Sequence, residues 1–127
     1  MIGNHVDKLL TIVTTKQKAT DPASWQGDST TYINELHKEL NEVAQEIGIN
    51  RQCYLEDECG DLLWDYLNLL KSLEQEGEIN ISRVFQRAQE KYEERWQALQ
   101  SGISWQAIKE IQKERLAQEQ ANINQPS

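Results

Sequence analysis

Apolar residues recur along this chain at intervals of three and four, the spacing that lines one face of an α-helix. Val6, Leu9, Leu10 and Val13 mark a first helix over residues 4–17, with Asn4 as its N-cap. The pattern breaks over 19–29, where Thr20, Asp21, Pro22, Ser24, Gly27 and Asp28 are turn formers and Trp25 stands among them. A Trp in such a loop either packs back on the domain or lines a pocket and stacks on a ring. Ile33, Leu36, Leu40, Val43, Ala44 and Ile47 form a continuous seam over 29–47, and Gly48 is the C′ residue that stops it. The third helix, over 52–76, carries Leu55, Cys59, Leu62, Leu63, Tyr66, Leu69, Leu70 and Leu73. A fourth, over 82–99, presents Val84, Phe85, Ala88, Tyr92, Trp96 and Leu99, with Ile81 just before it. A thinner stripe of Trp105, Ile108, Ile111 and Leu116 follows Ser104, a second N-cap, and fades from about Ala121. These segments predict an all-α fold: a four-helix-bundle-like core of antiparallel helices with an additional C-terminal helix. They form a single domain over 1–120, with a disordered tail over 121–127.

Composition adds a second subunit to this picture. With 38% hydrophobic residues and a mean hydropathy of −0.75, the chain has little apolar surface for a core of its own, yet it uses Trp four times. A homodimer or a dimer of dimers is the expected partnership. The net charge of −8 argues against nucleic-acid polymers, whose phosphates require a basic surface. No apolar run is long enough to span a membrane. Cys53 and Cys59 have no zinc-ligand spacing and read as reduced thiols of a cytoplasmic protein, with Cys59 in the core.

The charged positions carry the chemistry. Glu39 and Glu42, then Glu58 and Asp61, are carboxylate pairs at i and i+3, and each pair lies on one face of its helix roughly 5–6 Å apart at Cβ. Glu35, Glu39, Glu42 and Glu46 share a stripe beside the apolar seam of the second helix; Glu58, Asp61, Asp65 and Asn68 follow one edge of the third. Such stripes are either solvated acidic faces or sites for a strongly positive ligand, and the hard divalent cation Mg²⁺ selects carboxylate oxygens. Gly60, inside the third helix, calls for a close backbone approach or is a plain surface position. Arg95 projects from the apolar stripe of the fourth helix with Lys91 one turn earlier. Each is either a salt bridge with its stem packed on the core or part of a phosphate clamp. No internal repeat, Gly-rich phosphate loop or nucleophile elbow is present.

With KELNE at 38–42, ECGD at 58–61 and GDLLW at 60–64, the sequence resembles the MazG-type members of the all-α nucleoside triphosphate pyrophosphohydrolase superfamily. That family's signature is Glu-Glu-x-x-Glu followed at an interval by Glu-x-x-Asp. DPASWQGD at 21–28 looks like the Trp-containing segment before the metal helix, and EKYEERW at 90–96 like the later basic segment, so the resemblance spans about 4–98. One departure stands out: Lys38 occupies the place of the first Glu, while Glu35 supplies a carboxylate one turn before Glu39.

The resemblance implies hydrolysis of a nucleoside triphosphate, ribo or deoxy, to the monophosphate and pyrophosphate, with housekeeping of the nucleotide pool as its setting. Glu39, Glu42, Glu58 and Asp61 would be both catalytic and metal-binding, with Mg²⁺ as cofactor and Mn²⁺ as a substitute. Lys91 and Arg95 would hold the polyphosphate, Glu35 or Asp65 would orient the attacking water, and Trp25 or Asn68 would contact the base. Branches of the superfamily act on dUTP or phosphoribosyl-ATP, so the base stays open. Lys38 motivates a competing reading, a catalytically impaired helical interaction or regulatory protein on the same scaffold. A di-iron carboxylate bundle fits poorly, because neither His5 nor His37 has a Glu three residues before it.

Overall fold

The computed structural model describes residues 1–17 and 27–125, and among these it contains five α-helices and no strand: α1 Ile2–Gln17, α2 Ser29–Glu46, α3 Gln52–Gln75, α4 Ile81–Gln100 and α5 Trp105–Asn124. The all-α expectation holds. Trp25 and most of the turn-forming segment around it lie outside the described residues. The chain divides into two compact units, Met1–Ile81 and Ser82–Ser127.

In the first unit the helix ends follow local chemistry. The Asp28 carboxylate accepts from the Thr31 N–H at 2.8 Å and from the Thr31 hydroxyl at 2.9 Å, capping α2. At the other end Gly48 takes φ +87, as its place after the seam predicts. Asn50 also adopts the left-handed region (φ 66), and Arg51 reaches back to Glu46 through two hydrogen bonds of 2.8 and 2.9 Å. This closes a short, defined turn that sets α2 antiparallel to α3 and fixes the register between them. α3 stops at Gly77 (φ +81), where the Glu78 N–H donates to the Leu73 carbonyl and the Gly77 N–H to the Glu74 carbonyl. The Glu74 side chain then accepts from the Ile81 N–H at 2.8 Å and sets the start of α4 one residue earlier than Ser82. α1 begins at Ile2, so Asn4 is a residue of its first turn and not its cap.

α3 is the central helix of this unit and packs against both α1 and α2. The buried apolar residues are Val13, Tyr32, Leu67 and Leu70, each contributing about 1.5–3 kcal/mol if fully buried. Around them lie buried polar groups: Lys16, Asp65, Asn68 and Ser72. The Lys16 ammonium donates to the Tyr32 hydroxyl at 2.6 Å.

The faces turned inward differ from those the apolar pattern selects. Ile33, Leu40 and Ile47 of the α2 seam are exposed, whereas Glu35, Glu39 and Glu42 are half-buried against α3. On α3, Leu63 and Tyr66 are exposed and Cys59 is a free, exposed thiol, contrary to its expected core position. Both helices are rotated so that their polar stripes meet. Gly60 meets no close neighbour either: a Cβ there would find nothing within 4 Å, so it is a plain surface position.

The second unit is a helical hairpin. Gly102 (φ +83) ends α4, with the Ile103 N–H donating to the Ala98 carbonyl, and the Ser104 hydroxyl caps α5 by accepting from the Ala107 N–H. Ala98 and Ile108 are its buried apolar residues, and Arg87–Glu119 and Arg115–Glu94 tie the two helices together. α5 continues to Asn124, past the point at which its stripe fades; Gln118–Asn122 and Gln120–Asn124 side-chain hydrogen bonds accompany its last turns.

Candidate metal centre

Because α2 and α3 run antiparallel in a fixed register, their acidic stripes meet as three rungs: Glu42 with Glu58, Glu39 with Asp61, and Glu35 with Asp65. Two compact triads result, Glu39–Glu58–Asp61 and Glu35–Glu39–Asp65, and in each one oxygen per residue lies within 4.8 Å of the others. Glu39 belongs to both. Glu42 adjoins the first triad, close enough for its carboxylate to act on both Glu39 and Glu58.

Burial makes this arrangement costly for the protein alone. Glu35, Glu39 and Glu58 are half-buried and Asp65 is only 7% exposed. The Oε2 atoms of Glu39 and Glu58 are buried and accept no hydrogen bond. The ion pairs among the described residues, Arg51–Glu46, Lys71–Glu74, Arg87–Glu119 and Arg115–Glu94, leave all six carboxylates out. Lys38 is exposed and enters none of these pairs.

The proton affinities respond accordingly. Burial first, then the closeness and charge of Glu42, then the charges of Asp61 and Asp65, push Glu39 up to about 7. Glu58 is raised by burial and by Glu42 and Asp61. Asp61 is raised by burial and by Asp57 and Glu42, and Asp65 by burial followed by Glu35, Asp61 and Glu42. A cluster that pulls protons from solution for want of positive charge is equally suited to a cation.

The donor set fits Mg²⁺. All the groups are hard carboxylate oxygens, two of them are buried acceptors without a donor, and oxygens sharing an ion at about 2.0–2.1 Å stand roughly 3–4 Å apart, within reach of small side-chain adjustments.

Of the remaining site residues, Asn68 continues the α3 stripe. It is fully buried, donates through Nδ2 to the Trp64 carbonyl at 2.8 Å, and keeps Oδ1 without a partner. Lys91 and Arg95 belong to the second unit. Lys91 is exposed, but Arg95 is 7% exposed, its guanidinium 5.2 Å from the Tyr92 ring centre and 5.0 Å from that of Trp105. Its Nε donates to Gln112 Oε1 at 2.8 Å, and Gln112 donates in turn to Glu94 and to the Lys91 carbonyl. The partner of this buried cation is therefore an amide, where the sequence suggests a carboxylate or a phosphate. Asp65 is the carboxylate whose weight the motif spacing understates: it lies one turn beyond Asp61, outside Glu-x-x-Asp, yet is the most buried of the six.

Comparison with known proteins bears on this geometry directly. No curated protein and no solved structure matches the chain. The model of the MazG nucleotide pyrophosphohydrolase domain family matches residues 27–99, more than half of the sequence, and that span takes in α2, α3 and both acidic stripes. The chain belongs to the MazG nucleotide pyrophosphohydrolase family.

Proposed function

We propose that this protein is a Mg²⁺-dependent pyrophosphohydrolase that converts a nucleoside triphosphate to the monophosphate and pyrophosphate, acting as a homo-oligomer. The observation that carries the reading is the Glu39–Glu58–Asp61 triad with two buried, donorless oxygens beside Glu42. Glu39, Glu42, Glu58 and Asp61 would hold the cation, which when bound would supply charge neutralisation for the phosphates and a lowered pKa for water. Lys91, whose ammonium is exposed, attracts the polyphosphate, and Arg95 supports it by holding the hairpin that carries Lys91. Asn68 is kept as a residue of the base subsite; its Nδ2 is committed to the Trp64 carbonyl and its buried Oδ1 has no donor. Trp25 is kept as the stacking residue. The exposed apolar side chains Ile33, Leu40, Ile47, Leu63 and Tyr66 support subunit association.

A panel of ribo- and deoxynucleoside triphosphates with and without Mg²⁺, read by pyrophosphate release, tests the proposal. Metal-dependent release that is lost in Glu39→Gln and Glu58→Gln is expected, and undiminished turnover by both folded variants would overturn the site. Nucleotide-independent behaviour of the wild type would instead favour a regulatory scaffold.

A further inference from the structure

We propose that Gln112 of α5 is a positioning residue for Arg95: it holds the guanidinium in the groove between α4 and α5 without neutralising it, and so keeps its charge for a phosphate-bearing anion. The inference rests on the reading of the α4 cations as the residues of the polyphosphate. It extends that reading to α5, which begins beyond the last residue of the family match.

The state of Arg95 carries the argument. It is more than nine-tenths buried, and a cation in that position ordinarily has a carboxylate against it. Here its hydrogen bond among the described residues runs from Nε to the neutral Oε1 of Gln112, at 2.8 Å. The rings of Tyr92 and Trp105, with centres 5.2 and 5.0 Å away, favour the positive charge but do not cancel it. Nη1 and Nη2 donate to no group among the described residues. The side-chain atoms that are sealed from solvent without a partner belong to Glu39, Glu58 and Asn68, so the Nη edge of Arg95 still meets solvent. That edge carries the parallel N–H groups that fit two oxygens of a phosphate.

The amide is locked in the orientation this requires. Gln112 Nε2 donates to the Lys91 carbonyl at 3.0 Å and to Glu94 Oε1 at 2.9 Å, so a flipped amide would set its oxygen against two acceptors. Glu94 is tied to Arg115 by contacts of 3.1 and 3.2 Å, and the Gln112 amide, then Arg115, hold its carboxyl below the ordinary range. A glutamate at 112 could also accept from Arg95, but it would neutralise the guanidinium and stand against Glu94. The charge balance of the groove agrees. Of its carboxylates, Glu94 and Glu119 are matched by Arg115 and Arg87, while Glu90 and Glu110 accept from Gln86 and Gln106. Arg95, Lys91, Lys109 and Lys113 line the same groove, and none enters an ion pair among the described residues. This is a local excess of positive charge in a chain of net charge −8.

Tripolyphosphate titrated into the nitrogen-15-labelled full-length protein tests the proposal without recourse to turnover. The Arg95 side-chain signals are identified by their loss in Arg95→Lys. In the wild type the ligand should shift the Nη signals and slow their exchange with solvent, while the Nε signal, held by Gln112, stays in place. In Gln112→Glu the affinity for tripolyphosphate should fall roughly tenfold, because the added carboxylate competes for the guanidinium. Gln112→Met removes the contact but adds no charge, so it should lose less affinity even where its circular dichroism melt shows the larger loss of stability. Initial rates with Mg²⁺ and a nucleoside triphosphate should repeat that order as a rise in KM, with kcat of Gln112→Glu within about twofold of wild type. Unmoved Nη signals, or losses of affinity that follow stability and not the charge at 112, overturn the proposal; release of pyrophosphate by the wild type would then stand without it. Shifted Nη signals and the expected order of affinities, in a protein that hydrolyses no triphosphate, establish the role of Gln112 and remove the activity.

Discussion

Glu39 and Glu58, on adjacent antiparallel helices, bring carboxylate oxygens within 4.8 Å of each other, and each keeps its Oε2 buried without a donor. Two acids do not hold that position for the sake of the fold, because burial and like charge both oppose it. The cost is a property of the metal-free state, and the first expectation follows from it. In chelator, Glu39→Gln should melt at a higher temperature than wild type, by an increment of ~1 kcal/mol once solvent screening is allowed for. The same variant should lose pyrophosphate release. A scanning calorimetry trace together with a turnover assay checks the pairing of gained stability with lost activity.

Protonation offers a second route to the same relief. Glu39 is pushed from the ordinary 4.5 up to about 7, and Glu58, Asp61 and Asp65 are raised with it. The folded protein therefore binds more protons than the unfolded chain between those values, and stability of the metal-free protein falls as pH rises through that window. Asp28, Glu74, Glu94 and Glu119 act in the opposite sense. Hydrogen bonds from Thr31, Ile81, Gln112 and Arg87 hold them below the ordinary range, so their contribution is lost as the medium becomes more acid. The melting temperature in chelator should thus peak at roughly pH 5 and decline toward pH 8. Saturating Mg²⁺ should remove most of that decline, and a flat profile in chelator would contradict the buried-cluster account.

Gly60 interrupts α3 between Glu58 and Asp61 and has open space where a Cβ would stand. Gly60→Ala should stabilise the chain by about 1 kcal/mol through helix propensity alone. Denaturant melts measure this directly. A loss of stability would show that another subunit approaches the helix at this point.

Arg95 and Lys91, one turn apart on α4, should respond differently to substitution. Arg95→Ala removes a buried guanidinium stacked against Tyr92 and Trp105 and leaves Gln112 without its donor, for an expected loss of about 1–3 kcal/mol. Lys91→Ala removes an exposed charge and should alter stability by no more than about 0.5 kcal/mol while raising KM for the triphosphate. Urea titrations and initial-rate kinetics on both variants separate an effect on stability from an effect on the reaction.

Much of the secondary structure was legible because it is written locally. Gly48, Gly77 and Ser104 end or begin helices through their own backbone or hydroxyl, and the bounds around them come within one or two residues of expectation. The candidate site was half legible. Periodicity put Glu39, Glu42, Glu58 and Asp61 on stripes, but it could not tell that Asp65 would be buried, that Cys59 would be exposed, or that Arg95 would meet an amide.

The sequence by itself determined an all-helical chain of the MazG family with two acidic stripes on consecutive helices, since a 3.6-residue repeat defines where each side chain stands around its own axis. It did not determine which side of each helix is turned toward its neighbour. Tertiary structure decided that, through the short turn with Gly48 and Asn50 in the left-handed region and the Arg51–Glu46 clasp. These set α2 against α3 so that Glu35, Glu39 and Glu42 face Asp65, Asp61 and Glu58, while Ile33, Leu40 and Ile47 are left outside. The physical reason is that rotation about a helix axis is fixed only by contact with another element, and a single helix carries no information about that contact beyond its own pattern.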